Sequence, residues 1–139
     1  MKVACVVLGS GNSTRFNKSK SKLFYKVYGT PIIEYTLKNI SKFIKKNSIY
    51  ITIPKKLSKN DEKLIKNYTS NDLILGGKNR YYSLKNALKN IKTTEYDYVM
   101  IHDAARPLTP KNLFIKMLEA CRSNKYNCIV PSSPVESTL

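Results

Sequence analysis

Apolar and polar positions along the chain follow two rhythms. Val3 to Leu8 is an unbroken apolar run, V-A-C-V-V-L, with the length and β-branched content of a strand covered on both faces, which predicts a strand over 2–8. Phe24 to Tyr28 reads as a short extended piece. Gly29-Thr30-Pro31 then reads as a helix start, with Thr30 as N-cap and Pro31 in the first turn. The helix itself follows from Ile32, Ile33, Leu37, Ile40 and Ile44, which recur near the 3.6-residue period. Ser48 to Ile53 predicts a second strand, stopped by Pro54, and a lysine-rich helix over 58–68 carries a thin apolar face of Leu64, Ile65 and Tyr68. Asp72 to Leu75 is a third strand, ended by Gly76-Gly77. Asn79 caps the next helix, whose stripe is Leu84, Ala87, Leu88 and Ile91. Asp97 to Ile101 is a fourth strand, Thr109-Pro110 opens a helix to about Cys121, and Cys128 to Val130 is a fifth strand. Strands alternating with helices at this spacing predict an α/β fold, a doubly wound and largely parallel sheet, within one domain over 1–139.

That topology decides where chemistry can sit. In a parallel sheet the strand-end loops emerge on one edge, so three polar loops are expected to meet there: Gly9 to Lys22, Gly76 to Ser83 and His102 to Pro107. The first begins Gly9-Ser10-Gly11-Asn12-Ser13-Thr14-Arg15. Its glycines let backbone N–H groups approach an anion, and Arg15 and Lys22 add positive charge. It lacks the third glycine of a dinucleotide fingerprint and the Gly-Lys-Ser/Thr of a P-loop, so neither standard nucleotide motif is present. The second loop offers Gly76, Gly77, Arg80 and Ser83, and the third offers Asp103 and Arg106. One carboxylate among several cations suits a magnesium-bound triphosphate, because Mg²⁺ needs an oxygen ligand and the phosphates need fixed donors. His102, the single histidine, reads as a loop residue supporting its neighbours rather than as a general base.

Composition changes this picture little. Twenty-five Lys and Arg against nine Asp and Glu give a net charge of +16, which favours polyanionic partners such as nucleotides, sugar phosphates or nucleic acid. The excess is mostly lysine spread over helix surfaces, as a compositional bias alone would produce. No window approaches the ~20 apolar residues of a membrane span, and Met1-Lys2 runs directly into a strand without a signal-peptide pattern, so a cytoplasmic protein is expected. Three cysteines, Cys5, Cys121 and Cys128, without CxxC spacing, argue against a disulfide framework or a zinc site.

The order of motifs resembles the 2-C-methyl-D-erythritol 4-phosphate cytidylyltransferase family from Val3 to Leu139. It rests on a glycine loop ending in Arg15-Phe16, Lys22 seven positions later, Gly29-Thr30-Pro31, Gly76-Gly77 with Arg80 and Ser83, and above all H-D-A-A-R-P at 102–107. The resemblance implies a three-layer αβα, Rossmann-like nucleotidyltransferase fold of the glycosyltransferase-A type. It implies transfer of CMP from CTP to a sugar-alcohol phosphate in non-mevalonate isoprenoid biosynthesis, with Mg²⁺ or another divalent cation. In that family the residues matching Arg15 and Lys22 are catalytic. Those matching Gly9, Ser10, Gly11, Ser13, Gly77, Lys78, Ser83 and Ala104 hold the nucleotide, those matching Asp103, Arg106 and Thr138 the substrate, and Asp103 also the metal. The chain departs from the family pattern in four places: Leu8-Gly9-Ser10-Gly11 stands for the usual Ala-Ala-Gly entry, Lys78 for a commonly acidic or small residue beside the base, Leu23 for a frequent glutamine and Ser137 for an aspartate.

Members of that family extend well beyond the position of Leu139, through a dimerisation arm and a final substrate-binding stretch. The resemblance therefore implies an incomplete domain, a homodimer when full length, little activity from these residues alone, and a parent that can continue into a cyclodiphosphate synthase domain. Two other readings stay open at this point: a pentitol (ribitol) 5-phosphate cytidylyltransferase, and a basic nucleic-acid-binding module.

Overall fold

The first strand, β1 (Val3–Leu8), is the hydrophobic spine of the sheet, and Ala4, Cys5, Val6 and Val7 are entirely buried. The computed structural model describes residues 1–11, 21–123 and 125–134. Two compact units make up the chain, Met1–Thr109 and Pro110–Leu139.

In the first unit β1 is followed by a small hairpin, β2 (Lys26–Val27) and β3 (Thr30–Pro31), then α1 (Ile32–Ile40) and β4 (Ile49–Ile53). After these come α2 (Lys59–Lys66), β5 (Ile74–Leu75), α3 (Arg80–Lys89) and β6 (Tyr98–Asp103). The main sheet runs β5-β4-β1-β6 and every pairing in it is parallel, as expected. β1 thus pairs on one side with β4 and on the other with β6, so the order of strands reverses there. The crevice beyond the carboxyl ends at such a reversal is where open α/β sheets take ligands.

Side-chain alternation splits the core into two faces. One face carries Ala4, Val6, Tyr50 and Ile74, packed with Ala87 of α3 and with Ile91. The other carries Cys5, Val7, Ile49 and Ile51, all buried to 0%, which leaves the buried stripe of α1 (Ile33, Leu37, Ile40) and Ile65 of α2 to cover it. Burial pushes the Cys5 thiol up to about 12, so it acts as a small inert hydrophobe. Ser58 caps α2, its hydroxyl accepting from the Asp61 N–H, and Asn79 caps α3 by accepting from the Tyr82 N–H. The Asn79 cap is as expected, whereas Ser58, expected as the first helical residue, is the cap before Lys59.

Several boundaries differ from the sequence expectation. Thr30 is not a helix N-cap: Thr30–Pro31 pairs antiparallel with Lys26–Val27. Tyr28 (φ 48°) and Gly29 (φ 78°) make the two-residue turn between them. Positive φ at both central positions suits a hairpin turn, whose ladder claims Thr30, and the helix begins one residue after Pro31. α1 ends at Ile40; Ile44 is still buried, but in the turns that follow. Leu88, expected on the buried stripe of α3, is 38% exposed; Ser83 and Ala87 form the narrower face. The fourth strand continues two residues past Ile101 because its ladder with β1 runs on through Val7–His102 and Leu8–Asp103.

The second unit contains α4 (Lys111–Arg122), with Pro110 at its cap position and no side-chain cap. The expected strand over Cys128 to Val130 is not formed. Val130 is 74% exposed, and a three-residue run without ladder partners lacks the hydrogen bonds that hold a strand extended.

Candidate active site

The register of β6 against β1 decides which side chains reach the sheet edge. Asp103 lies opposite Leu8 on the face that α3 covers, and His102 lies opposite Val7 on the other. One residue of alternation therefore sends the carboxylate and the imidazole to different places. Above the first face opens a cleft of about 550 Å³. The three expected loops converge on it: Ser10, Gly11 and Lys22 from the first, Gly77, Lys78 and Ser83 from the second, and Asp103 and Arg106 from the third. Arg15, Ser13 and Thr138 lie outside the described residues.

Asp103 is the electrostatic centre of the described wall. Its Oδ1 accepts from Arg80 Nε at 3.2 Å and its Oδ2 from Arg106 Nε at 3.1 Å. Lys22, at the head of a 3₁₀ turn (Lys22–Phe24), contributes another cation, and Lys78 a fourth, with its Nζ 4.6 Å above the Tyr82 ring. Four cations against one carboxylate make a wall suited to a polyanion.

The floor is a cluster of hydroxyls. Ser10 Oγ donates to Ser83 Oγ at 2.8 Å and lies 3.3 Å from Thr52 Oγ1. Ser83 Oγ in turn accepts from the Gly77 N–H (3.1 Å) and donates to the Asn79 carbonyl (2.8 Å). A Cβ at Gly76 would overlap the Ser10 side chain, and one at Gly77 would overlap Tyr82, so close approach requires both glycines. The Gly9 N–H donates to the Thr52 carbonyl and lies 3.1 Å from Thr52 Oγ1. Fully buried Ala104 donates its N–H to Leu8 and accepts at its carbonyl from Thr36. Of the expected nucleotide contacts, these backbone groups of Gly9, Gly77 and Ala104 are engaged in the framework, and it is Ala105, not Ala104, that lines the cleft.

The loop carrying Asp103 and Arg106 is pinned from below. Thr36 Oγ1 donates to the Ala104 carbonyl (2.8 Å) and Asn39 Nδ2 to the Pro107 carbonyl (2.9 Å), both from α1. His102 stitches the loop to itself: Nδ1 lies 2.9 Å from the Asp103 carbonyl, which can only accept, so Nδ1 carries the hydrogen. Nε2 is 3.0 Å from Thr109 Oγ1, whose one hydrogen is shared between Nε2 and the Arg106 carbonyl 3.1 Å away. Burial lowers the His102 pKa from its usual value, favouring the neutral ring that this arrangement uses. A loop so held presents its two charged side chains on a rigid base.

The family described as "IspD: 2-C-methyl-D-erythritol 4-phosphate cytidylyltransferase" matches residues 3–139. The chain belongs to this cytidylyltransferase family. A 2-C-methyl-D-erythritol 4-phosphate cytidylyltransferase of Thermosipho melanesiensis is 35% identical over 144 residues, covering 100% of this chain and 61% of the relative. A bifunctional enzyme IspD/IspF of Campylobacter jejuni is 35% identical over 137 residues, covering 98% of this chain and 34% of the relative. The solved structure of the bifunctional IspDF from Campylobacter jejuni superposes with a TM-score of 0.68 at 35% identity, over 88% of this chain and 31% of that one. The chain thus spans about three-fifths of the first relative's length and one-third of the bifunctional ones.

Within the cytidylyltransferase family the motif residues were findable from sequence, but the supports beneath them were not. Thr36, Asn39 and Thr52 are polar residues inside an apolar helix stripe and an apolar strand, where nothing local marks them as partners of a distant loop. Thr36→Val removes the hydrogen bond and leaves the Ala104 carbonyl buried without a donor, so it should cost about 1–3 kcal/mol. A urea unfolding midpoint equal to that of the parent protein would show that the carbonyl finds another partner. Among the described residues no three His, Cys, Asp or Glu side chains cluster as a metal cage. No described helix is long and apolar enough to cross a membrane.

Proposed function

We propose that the protein transfers CMP from CTP to 2-C-methyl-D-erythritol 4-phosphate, giving 4-diphosphocytidyl-2-C-methyl-D-erythritol and pyrophosphate. The observation that carries this reading is the one shared cleft in which Lys22, Arg80, Arg106 and Asp103 meet, contributed by three loops far apart along the chain, on a chain of the cytidylyltransferase family. A phosphate oxygen of the acceptor attacks the α-phosphorus of CTP; that P–O bond forms as the bond to the β-phosphate oxygen breaks, and the electron pair leaves with pyrophosphate. No side chain need remove a proton from an ionised phosphate, so positioning and charge stabilisation supply most of the catalysis. Lys22, with Arg15 seven positions before it, stabilises charge on the crowded α-phosphate. Ser10, Gly11, Ser13, Gly77, Lys78 and Ser83 bound the nucleotide, with Gly9 and Ala104 shaping the framework. Arg106, Asp103 and Thr138 serve the acceptor.

A divalent cation fits this donor set. Mg²⁺ takes one or two carboxylates and fills its remaining positions with substrate phosphates and water, and Asp103 is a carboxylate in a cleft whose other charged lining residues are cations. When bound it would neutralise phosphate charge beside the leaving group.

Pyrophosphate release, followed by a coupled assay on the protein expressed over its whole reading frame, tests the proposal. Turnover is expected to require CTP, the methylerythritol phosphate and a divalent cation together. Equal or faster turnover with ribitol 5-phosphate would transfer the assignment to pentitol phosphates, and no turnover with either acceptor would overturn it.

A further inference from the structure

We propose that Arg80 is a second anion-binding arm of the cleft, set opposite Arg106 by the carboxylate they share, and that the two guanidinium groups grip a phosphate oxyanion. Each arginine meets Asp103 side-on, through Nε alone, at 3.2 and 3.1 Å, one on each carboxylate oxygen. Among the described residues the Nη groups of both contact no acceptor, while both side chains line the cleft. One carboxylate orients two cations and neutralises one of them, so the unit keeps a net positive charge.

The array is not needed for folding. Arg80 is 63% and Arg106 72% exposed, and ion pairs that wet contribute little to stability. What the pairing does supply is aim. Arg80 is the first residue of α3, directly after Asn79, whose side chain fixes the start of that helix. Arg106 sits on the loop pinned by Thr36, Asn39 and His102. Two guanidinium groups on held bases, their Nε ends engaged by Asp103 and both lining the cleft, keep their Nη donors for a ligand, and such forks match a tetrahedral oxyanion better than the point charges of lysines do. Asp103 thereby acts as a positioning residue for Arg80, and Arg80 as a binding residue.

The ligand chemistry is a phosphate oxyanion, which either the nucleotide's polyphosphate or the acceptor's phosphate monoester supplies. The arm stands on the geometry; only its assignment to one of these two rests on the cytidylyl-transfer reading. Calorimetric titrations of inorganic pyrophosphate and, separately, of erythritol 4-phosphate into the protein, R80K and R80Q, all expressed over the whole reading frame, decide it. R80Q should weaken one of the anions about tenfold, the scale of lost charge-assisted hydrogen bonds, with an unchanged melting temperature. R80K should recover only part of that loss, since it restores charge without the fork. A loss confined to pyrophosphate places the arm on the nucleotide side, and one confined to the monoester places it on the acceptor side. Unchanged binding of both anions by R80Q, full rescue by R80K, or no binding of either anion by the parent protein would overturn the proposal. Arg80-dependent pyrophosphate binding by a protein that does not bind CTP would instead defeat the cytidylyl-transfer reading and leave the arm standing.

Discussion

Lys22→Ala is expected to lower the rate of pyrophosphate formation by about 10²- to 10³-fold while CTP affinity changes far less. The split follows from where the charge develops. In the ground state a triphosphate spreads its charge over many donors, of which Lys22 is one. In the transition state the α-phosphate is crowded by entering and leaving oxygens, and a cation aimed there does most of its work at that moment. The structure gives Lys22 a firm base for this. The 3₁₀ turn Lys22–Phe24 is closed by the Phe24 N–H on the Ser21 carbonyl and the Tyr25 N–H on the Lys22 carbonyl, and Leu23 beside it is buried. Single-turnover pyrophosphate release with a parallel CTP titration measures the two effects separately. An unaffected rate would remove Lys22 from the chemistry, and an equal loss in both would make it a binding residue only. Lys22→Arg, keeping a cation, should retain more of the rate than Lys22→Ala.

Asp103→Asn should reduce kcat/KM by about 10²-fold, a loss equivalent to a few kcal/mol of transition-state stabilisation. The substitution keeps the shape of the side chain and removes its charge. Two contacts weaken at once, with Arg80 and with Arg106, so the orientation of both cations is relaxed together, and the one carboxylate of the cleft is lost to a divalent cation. Stability should hardly move, because both partner arginines are well exposed. Steady-state kinetics over a range of Mg²⁺ concentrations, with a thermal melt of the same preparation, checks both halves. Activity within a few-fold of the parent would show that the carboxylate is only an ion-pair partner, and a large drop in melting temperature would show that it supports the fold.

The two predictions depend on sequence and structure in different degrees. Lys22 is marked in the sequence by its position after a glycine loop, and Asp103 by its place in H-D-A-A-R-P at the end of an apolar run. The convergence of their loops followed from strand-helix alternation alone, because a parallel sheet sends every such loop to one edge. The expectation went astray where non-local pairing overrides local pattern. Thr30-Pro31 carries a sound helix-start signature, yet the Tyr28-Gly29 turn draws it into a hairpin. The apolar run of the fourth strand stops at Ile101, yet pairing with β1 extends the strand through two polar residues. The three apolar residues at 128–130 had the composition of a strand but no ladder.

What the amino-acid order determined by itself was everything that short-range periodicity and capping can express: the buried first strand, the cap at Asn79, the βα alternation and the identity of the charged residues at the strand ends. What only the tertiary structure decided was how those residues are held. Hydrogen bonds from Thr36 and Asn39 to carbonyls 68 positions away, the Ser10–Ser83 contact across 73 positions and the sharing of Asp103 between Arg80 and Arg106 leave no mark within any single window of sequence. Each is a pairwise geometry that exists only once the sheet has brought its strand ends to the same edge.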